Sequence, residues 1–279
     1  MSATDFPDLP PAWPGAQVYT PDARIFMRRT GHAEGGSLML LHGWGVHGGM
    51  FEGPVRQVLE PHFELLVPDL RGHGYSSTPR NPRSWRLTDY VDDLVRSLDH
   101  LGVDRVHVAG YSMGGFVALG LAQAHPDRVD RLGLICTAAK HPDIVRRNLV
   151  VAEAAFKVLP PQTMAWVAGR LLAGPGVPEE LRPVMRWLLG YNTRGGISGG
   201  AGAMRRADLT AGLAALTHPT LLVTAEHDVA VPKWASKHLL DSIPNVTHKH
   251  FEDAGHALAA SHGTELARAM GDFFQAGPR

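Results

Sequence analysis

The chain has 279 residues, of which 44% are hydrophobic and 19% charged, a balance typical of a globular protein with a substantial core. Its 27 basic and 27 acidic residues cancel, so the charge favours neither nucleic acid nor an anionic membrane as a partner, and a small neutral substrate fits better. Cys136 is the only cysteine, which excludes an intrachain disulfide and agrees with a reducing cytosol.

The amino-terminal residues lack the basic and apolar regions of a signal peptide. No uninterrupted apolar stretch approaches the ~18 residues that a membrane span needs. We therefore expect a cytoplasmic protein without a membrane span. No feature of the sequence indicates an oligomeric state.

Strand signals come first along the chain. Residues 17–19 and 24–27, separated by a Thr-Pro-Asp-Ala turn, predict an antiparallel hairpin. Short apolar runs at 37–42 and 63–68 are typical of strands buried on both faces of a parallel sheet, and 50–59 predicts a helix between them.

Helix and strand signals then alternate. At 87–101 apolar residues recur at helical spacing, and four carboxylates on the other side are expected to face water: Asp89, Asp92, Asp93 and Asp99. We expect a helix at 116–124 between strands at 105–109 and 132–136. Because the second strand includes Cys136, the thiol of this residue is expected to be buried. This alternation predicts right-handed βαβ units with helices on both faces of the sheet.

The alternation stops over residues 140–212. Helix-like segments there, at 144–158, 162–172 and 179–189, precede a glycine-rich run at 195–202. We interpret 140–212 as a helical lid inserted over the sheet, with the glycines as a mobile connection. Residues 1–139 and 213–279 then form the core domain, in which 220–225 and 246–251 predict two more strands.

A Gly-x-Ser-x-Gly motif joins the strand at 105–109 to the next helix. Gly110 and Gly114 flank Ser112, as in a strained strand-to-helix turn where a neighbouring Cβ would collide with the facing backbone. The turn exposes the hydroxyl, and the helix start directs its N–H groups at any oxyanion formed there. We interpret Ser112 as a catalytic nucleophile.

A serine nucleophile requires a histidine to take its proton and a carboxylate to orient that histidine. The chain supplies both after later strands, in the order Ser112, Asp228, His256. Asp228 is preferred over Glu226 and over Asp253, which lies only three residues before His256.

A metal site is a weaker interpretation. His248 and His250 share one face of a predicted strand, but with no acidic or cysteine partner nearby in the sequence they are expected to face solvent. His42 is expected to brace a loop through backbone hydrogen bonds, and Arg71 and Ser76 to fix a turn.

Three further motifs support a resemblance. Residues 40–45, Leu-Leu-His-Gly-Trp-Gly, resemble a His-Gly oxyanion loop; 68–76, Pro-Asp-Leu-Arg-Gly-His-Gly-Tyr-Ser, resemble a D-x-R-G-x-G-x-S turn; and 252–256 resemble a loop presenting a catalytic histidine. With these motifs in order, residues 18–274 resemble the α/β-hydrolase family, above all its small lidded microbial carboxylesterases. Ala225 departs from the glycine that many relatives carry three residues before the acid.

The resemblance implies a mostly parallel eight-stranded sheet with helices on both faces and an inserted lid. It also implies an oxyanion hole formed by the N–H groups of Trp44 and Met113. Trp44, Phe116, Trp166 and Trp187 are candidate pocket residues, although packing in the lid or core explains the last three equally well.

The implied activity is hydrolysis of small to medium, mostly apolar carboxylic esters through an acyl-enzyme, with no cofactor and no metal. A lactonase or a C–C bond hydrolase would use the same residues. A ligand sensor with vestigial hydrolysis is an alternative from another class.

Overall fold

The computed structural model of the chain describes residues 14–81, 83–141, 147, 150–151, 154 and 190–276. Within them, eight strands form one sheet in the order β1-β2-β4-β3-β5-β6-β7-β8. Their bounds are β1 Gly15–Tyr19, β2 Arg24–Gly31, β3 Ser37–Leu41, β4 Glu64–Pro68, β5 Val106–Tyr111, β6 Val129–Ile135, β7 Thr220–His227 and β8 Val246–Gly255.

The sheet is mostly parallel. β1 and β2 form the predicted antiparallel hairpin, and β2 also pairs antiparallel with β4. All other neighbouring pairs are parallel. The predicted fold class is confirmed, and parallel strands bring the carboxyl ends of β3 to β8 to one edge.

Helices cover both faces of the sheet. Those used below are α1 Pro54–Leu59, α2 Leu87–Leu101, α3 Met113–Ala124, α4 Arg194–Arg206, α5 Lys233–Ser242, α6 Leu258–Ser261 and α7 Gly263–Gln275. Alternate residues of β3 enter opposite cores: Met39 and Leu41 pack with residues of α2 and α3, whereas Leu38 and Leu40 pack with residues of α1 and α7. None of the helices in the described ranges is both long and apolar enough to cross a bilayer.

The helix predicted at 50–59 is interrupted. A 3₁₀ helix covers Gly48–Phe51 and α1 starts only at Pro54. Gly53 has a positive φ of 74° and Pro54 has no N–H to donate, so the two segments cannot join as one helix.

The prediction for α2 is right in its bounds and wrong for two carboxylates. Asp89 and Asp93 are buried rather than facing water. Asp93 accepts hydrogen bonds from Arg71 Nε at 2.7 Å and Thr20 Oγ1 at 2.8 Å. These partners come from distant segments, which helical periodicity does not reveal.

The prediction of a mobile connection at the glycine-rich run 195–202 is also wrong, because these residues form most of helix α4. A Cβ at Gly196 would collide with the carbonyl oxygen of Gly72, and a Cβ at Gly199 with the Trp85 ring. The glycines therefore allow α4 to pack closely on the core.

Candidate active site

The strand-to-helix turn after β5 presents Ser112. This residue has φ 52° and ψ −112°, a backbone conformation that side-chain-bearing residues rarely adopt. A Cβ at Gly110 would collide with the Gly114 carbonyl, and one at Gly114 with that of Leu41. Thr137 Oγ1 donates to the Ser112 carbonyl at 2.7 Å and helps to hold the turn.

His256, which follows β8, links the other two polar groups predicted for the site. Its Nε2 lies 3.1 Å from Ser112 Oγ, and its Nδ1 lies 3.0 and 2.9 Å from the two carboxylate oxygens of Asp228. An ionised carboxylate only accepts hydrogen bonds, so the proton of a neutral His256 resides on Nδ1 and Nε2 faces the serine hydroxyl.

Asp228 lies in the loop after β7, with a side chain that is 6% exposed. Its Oδ1 accepts from the N–H groups of Ala230 and Val231 at 2.8 and 2.9 Å. Burial opposes ionisation, but His256 and these two N–H groups together hold the pKa of Asp228 below its ordinary value. The carboxylate is therefore ionised at neutral pH.

Two residues that the motifs did not reveal lie against this cluster. Tyr111 donates from its hydroxyl to the carbonyl of His256, and the two rings meet edge to face at 5.9 Å. Cys136, with φ 47°, lies just beyond β6, and burial together with the charge of Asp228 raises the pKa of its thiol well above the ordinary range. Both residues lie at the carboxyl edge of the sheet, a position that the strand assignments could have indicated.

The His-Gly loop after β3 lies beside Ser112. A Cβ added at Gly43 would be 3.5 Å from Ser112 Cβ. His42 braces this loop as predicted, because its Nε2 accepts from the Leu70 N–H at 2.8 Å while Nδ1 donates to the Gly43 carbonyl at 2.7 Å. Met113 is the first residue of α3, where the backbone N–H has no acceptor within the helix.

Helix α4 and the residues before it hold the same loop from the other side. Trp44 Nε1 donates to the Ile197 carbonyl at 2.8 Å, and Asn192 Nδ2 donates to the Gly45 carbonyl at 2.5 Å. A Cβ at Gly200 would lie 3.0 Å from the Trp44 ring and 3.2 Å from Met113 Sδ. Trp44 is thus anchored by residues about 150 positions away in the sequence.

A cavity of about 90 Å³ opens between Ser112 and His256. The residues lining it are mostly small or apolar: Gly43, Trp44, Val46, Met50, Tyr111, Ala257, Ala259 and Ala260, besides Ser112 and His256 themselves. Such a lining suits an apolar group of limited size next to the hydroxyl.

The remaining candidate pocket residues are placed as follows. Phe116 is 1% exposed and stacks on His141 at 4.8 Å between ring centroids, outside the lining of this cavity. Trp166 and Trp187 lie outside the described residues.

The rival carboxylates lie away from His256 Nδ1. Asp253 is 84% exposed and pairs with His262 Nε2 at 3.2 Å. Glu226 accepts from Lys233 and lies 3.3 Å from His250 Nε2. His248 and His250 are exposed, as predicted, and both contact Thr224 Oγ1 at 2.8 Å. His250 also has Glu226 as an acidic neighbour, which the sequence did not reveal.

The predicted turn residues do fix the turn after β4. Arg71 donates to Asp93 and to the carbonyls of Ser84 and Asp89, each at 2.7 Å. Ser76 Oγ donates to the Asp69 carbonyl at 2.5 Å and accepts from the Phe26 N–H at 2.8 Å.

Comparison with known proteins gives consistent matches. A family model described as the alpha/beta hydrolase fold matches residues 36–262, a range that includes Ser112, Asp228 and His256. The chain is 28% identical over 250 residues to a pimeloyl-acyl-carrier-protein methyl ester esterase of Chromobacterium violaceum, covering 87% of this chain and 95% of the relative. A protein of the same name from Nitrosospira multiformis is 31% identical over 240 residues, covering 78% and 89%. A solved hydrolase structure from Pseudomonas aeruginosa superposes with a TM-score of 0.85 at 29% identity, covering 95% of this chain and 100% of that one.

Proposed function

Because the chain belongs to the α/β-hydrolase family, we propose that it is a serine hydrolase of small to medium, mostly apolar carboxylic esters. The observation that carries this proposal is the position of His256 between two partners, with Nε2 at 3.1 Å from Ser112 Oγ and Nδ1 at 2.9 Å from Asp228. A buried carboxylate, an imidazole and a hydroxyl in this order can activate the hydroxyl as a nucleophile.

In the proposed mechanism, Ser112 Oγ attacks the ester carbonyl while His256 Nε2 takes its proton. Asp228 keeps the imidazole in the required tautomer and stabilises its cation. The N–H groups of Trp44 and Met113 bind the oxyanion. His256 returns the proton to the leaving alcohol, and water activated by the same imidazole then releases the acid from the acyl-enzyme. No step needs a metal or a cofactor.

The cavity of about 90 Å³ supports a short apolar alcohol part. The leaving oxygen must lie within hydrogen-bond reach of His256 Nε2, and His256, Ala257, Ala259 and Ala260 are among the residues that line this cavity. The two relatives named as methyl ester esterases are consistent with a small alcohol group.

The insertion at 140–212 is proposed as a cap that selects the ester. Its two ends meet, because Lys140 and Asp208 form a β-bridge and an ion pair of 2.7 Å. Helix α4, in the carboxyl-terminal part of the insertion, lies against both proposed oxyanion-hole residues: the Ile197 carbonyl accepts from Trp44 Nε1, and a Cβ at Gly200 would be 3.2 Å from Met113 Sδ. A segment in this position can close the acyl side of the site.

Turnover of an ester panel tests the function. Methyl, ethyl and butyl esters of butanoate, octanoate and decanoate, with a lactone and a C–C bond substrate for comparison, should reveal multiple turnovers on the esters of short alcohols. Ser112→Ala should lower kcat by about 10³ to 10⁶ with an unchanged thermal unfolding curve. A single slow turnover with retained product would instead favour the alternative function, a ligand sensor with vestigial hydrolysis.

A further inference from the structure

Two members of the proposed triad converge with a third, chemically different ligand group, the thiol of Cys136. One ligand atom each of Cys136, Asp228 and His256 lies within 4.8 Å of the other two. The His256 atom that faces the carboxylate is Nδ1. These residues follow three different strands, β6, β7 and β8, so the sheet edge itself holds them together.

A second cavity, of about 160 Å³, reaches this cluster, and Ser112 is not among the residues lining it. Cys136 and Asp228 line its inner part. Thr224, His248 and His250 also line it, are more exposed than Cys136 and are linked by two hydrogen bonds of 2.8 Å. Lys233 and Lys237 line it as well, and their ammonium groups pair with the carboxylates of Glu226 and Asp241. A hydrated cation could reach Cys136 through this cavity, past imidazoles that can bind it transiently.

We propose that Cys136, Asp228 and His256 Nδ1 form an inhibitory binding site for a thiophilic divalent cation such as Zn²⁺ or Cd²⁺. Thiolate, carboxylate and imidazole are the three ligand types that Zn²⁺ prefers. Tetrahedral zinc with bonds of about 2.0–2.3 Å needs ligand atoms about 3.4–3.6 Å apart, and the observed spacing reaches this with side-chain shifts of about 1 Å. Water from the second cavity completes the coordination.

Binding of the cation stops proton transfer at Ser112. The metal takes the place of the thiol proton, which is released to solvent, and of the proton on His256 Nδ1, which moves to Nε2. A neutral imidazole protonated on Nε2 is a donor at that atom and cannot accept the serine proton. Inhibition rests on the proposed function, whereas the binding site itself does not.

Titration with Cd²⁺ tests binding without reference to activity. Cys136 is the only cysteine in the sequence, so any ultraviolet thiolate-to-cadmium absorption band must come from it. The wild-type protein should develop this band to one equivalent per chain, and Cys136→Ser and Cys136→Ala should not. Asp228→Asn and His256→Ala should weaken the cadmium affinity, measured from the growth of the band, by at least about 100-fold. Loss of even an outer-shell partner of a metal site lowers metal affinity by about 10–100-fold.

The double variant His248→Ala/His250→Ala is the matched control for surface binding. It should retain the band at full intensity, because these imidazoles line only the route. The proposed site would be overturned if no band appeared up to millimolar Cd²⁺. It would also be overturned if Asp228→Asn and His256→Ala bound Cd²⁺ with the same affinity as the wild-type protein.

Inhibition is tested on the ester that the wild-type protein turns over best. Zn²⁺ should abolish turnover, and a chelator should restore it. Cys136→Ala, folded as judged by thermal unfolding, should still turn over the ester but should need at least about 100-fold more Zn²⁺ for the same inhibition. Equal zinc sensitivity of this variant would contradict the inhibitory role. If no ester is turned over but the cadmium band appears and changes in the variants as predicted, the metal site is supported and the proposed function is wrong.

Discussion

At the scale of single residues, the environment of each carboxylate near His256 determines which one can orient it. Asp228 is nearly buried, accepts two backbone N–H groups and faces Nδ1. Asp253 and Glu226 are more exposed and pair with other side chains. Of these three carboxylates, Asp228 is the one whose oxygens lie within hydrogen-bond distance of His256 Nδ1.

Asp228→Asn should therefore lower kcat by about 10⁴, because an amide can hold His256 in the wrong tautomer, as the same replacement does in a serine protease. Asp253→Asn and Glu226→Gln are matched controls and should stay within about tenfold of the wild-type protein. Steady-state kinetics on one ester compares the three variants. Loss of activity in Asp253→Asn alone would assign the acid role to that residue.

Residues in local motifs could be predicted from sequence, whereas residues brought together by packing could not. The Ser112 turn is encoded by Gly110 and Gly114, each only two residues away in the chain. Cys136 and Asp228 follow different strands, and their proximity depends on the pairing of β6 with β7. Cys136 could be predicted as buried but not as a neighbour of the acid.

At the scale of elements, helix α4 differs most from its prediction. Its glycines suggested flexibility, yet they serve as contact points for Gly72, Trp85 and Trp44. Helix propensity alone disfavours glycine by about 1 kcal/mol per residue relative to alanine, so close packing has to compensate. Those packing partners lie more than 100 residues away, which explains why the local sequence was misleading.

Gly196→Ala should destabilise the protein by about 1–3 kcal/mol, because its Cβ meets the backbone carbonyl of Gly72, which cannot rotate away. Gly202→Ala is the control in the same helix. A Cβ there would lie 3.0 Å from the end of the flexible Arg206 side chain, and stability should stay the same or rise by up to about 1 kcal/mol. Urea unfolding measures both changes, and equal effects would contradict the packing role of Gly196.

At the scale of the whole molecule, buried histidines make stability depend on pH. Burial lowers the pKa of His42, His47 and His141 to about 4 and that of His73 to about 3. The unfolded chain binds protons at these groups near its ordinary pKa of about 6.5, whereas the folded protein resists doing so. Between these values the unfolded state holds more protons, so stability falls as the pH is lowered.

The free energy of unfolding should therefore decrease from pH 6.5 to pH 4, by up to about 1.4 kcal/mol per pH unit for each of these histidines. Urea unfolding at pH 7, 6, 5 and 4.5 measures the slope. His73→Gln should reduce the slope by the contribution of one buried histidine. His238→Gln, at an exposed position of α5, should leave the slope unchanged. A flat profile would mean that the buried histidines do not resist protonation.

The architecture as a whole was the most predictable feature. All eight strands and the antiparallel hairpin follow from hydrophobic runs and turns, and the fold class follows from their alternation with helices. The lid assignment for 140–212 stays a prediction, since most of that segment lies outside the described residues.

The most direct test of the central claim, that Ser112 is the nucleophile activated by His256 and Asp228, is covalent labelling. An organophosphate with a nitrophenolate leaving group is incubated with the protein, and adducts are mapped by mass spectrometry of peptides while ester turnover is followed. We expect one adduct per chain, on Ser112, formed in step with the loss of turnover and strongly slowed in His256→Ala. Full activity after stoichiometric labelling of another residue, or wild-type labelling of Ser112→Ala, would contradict it.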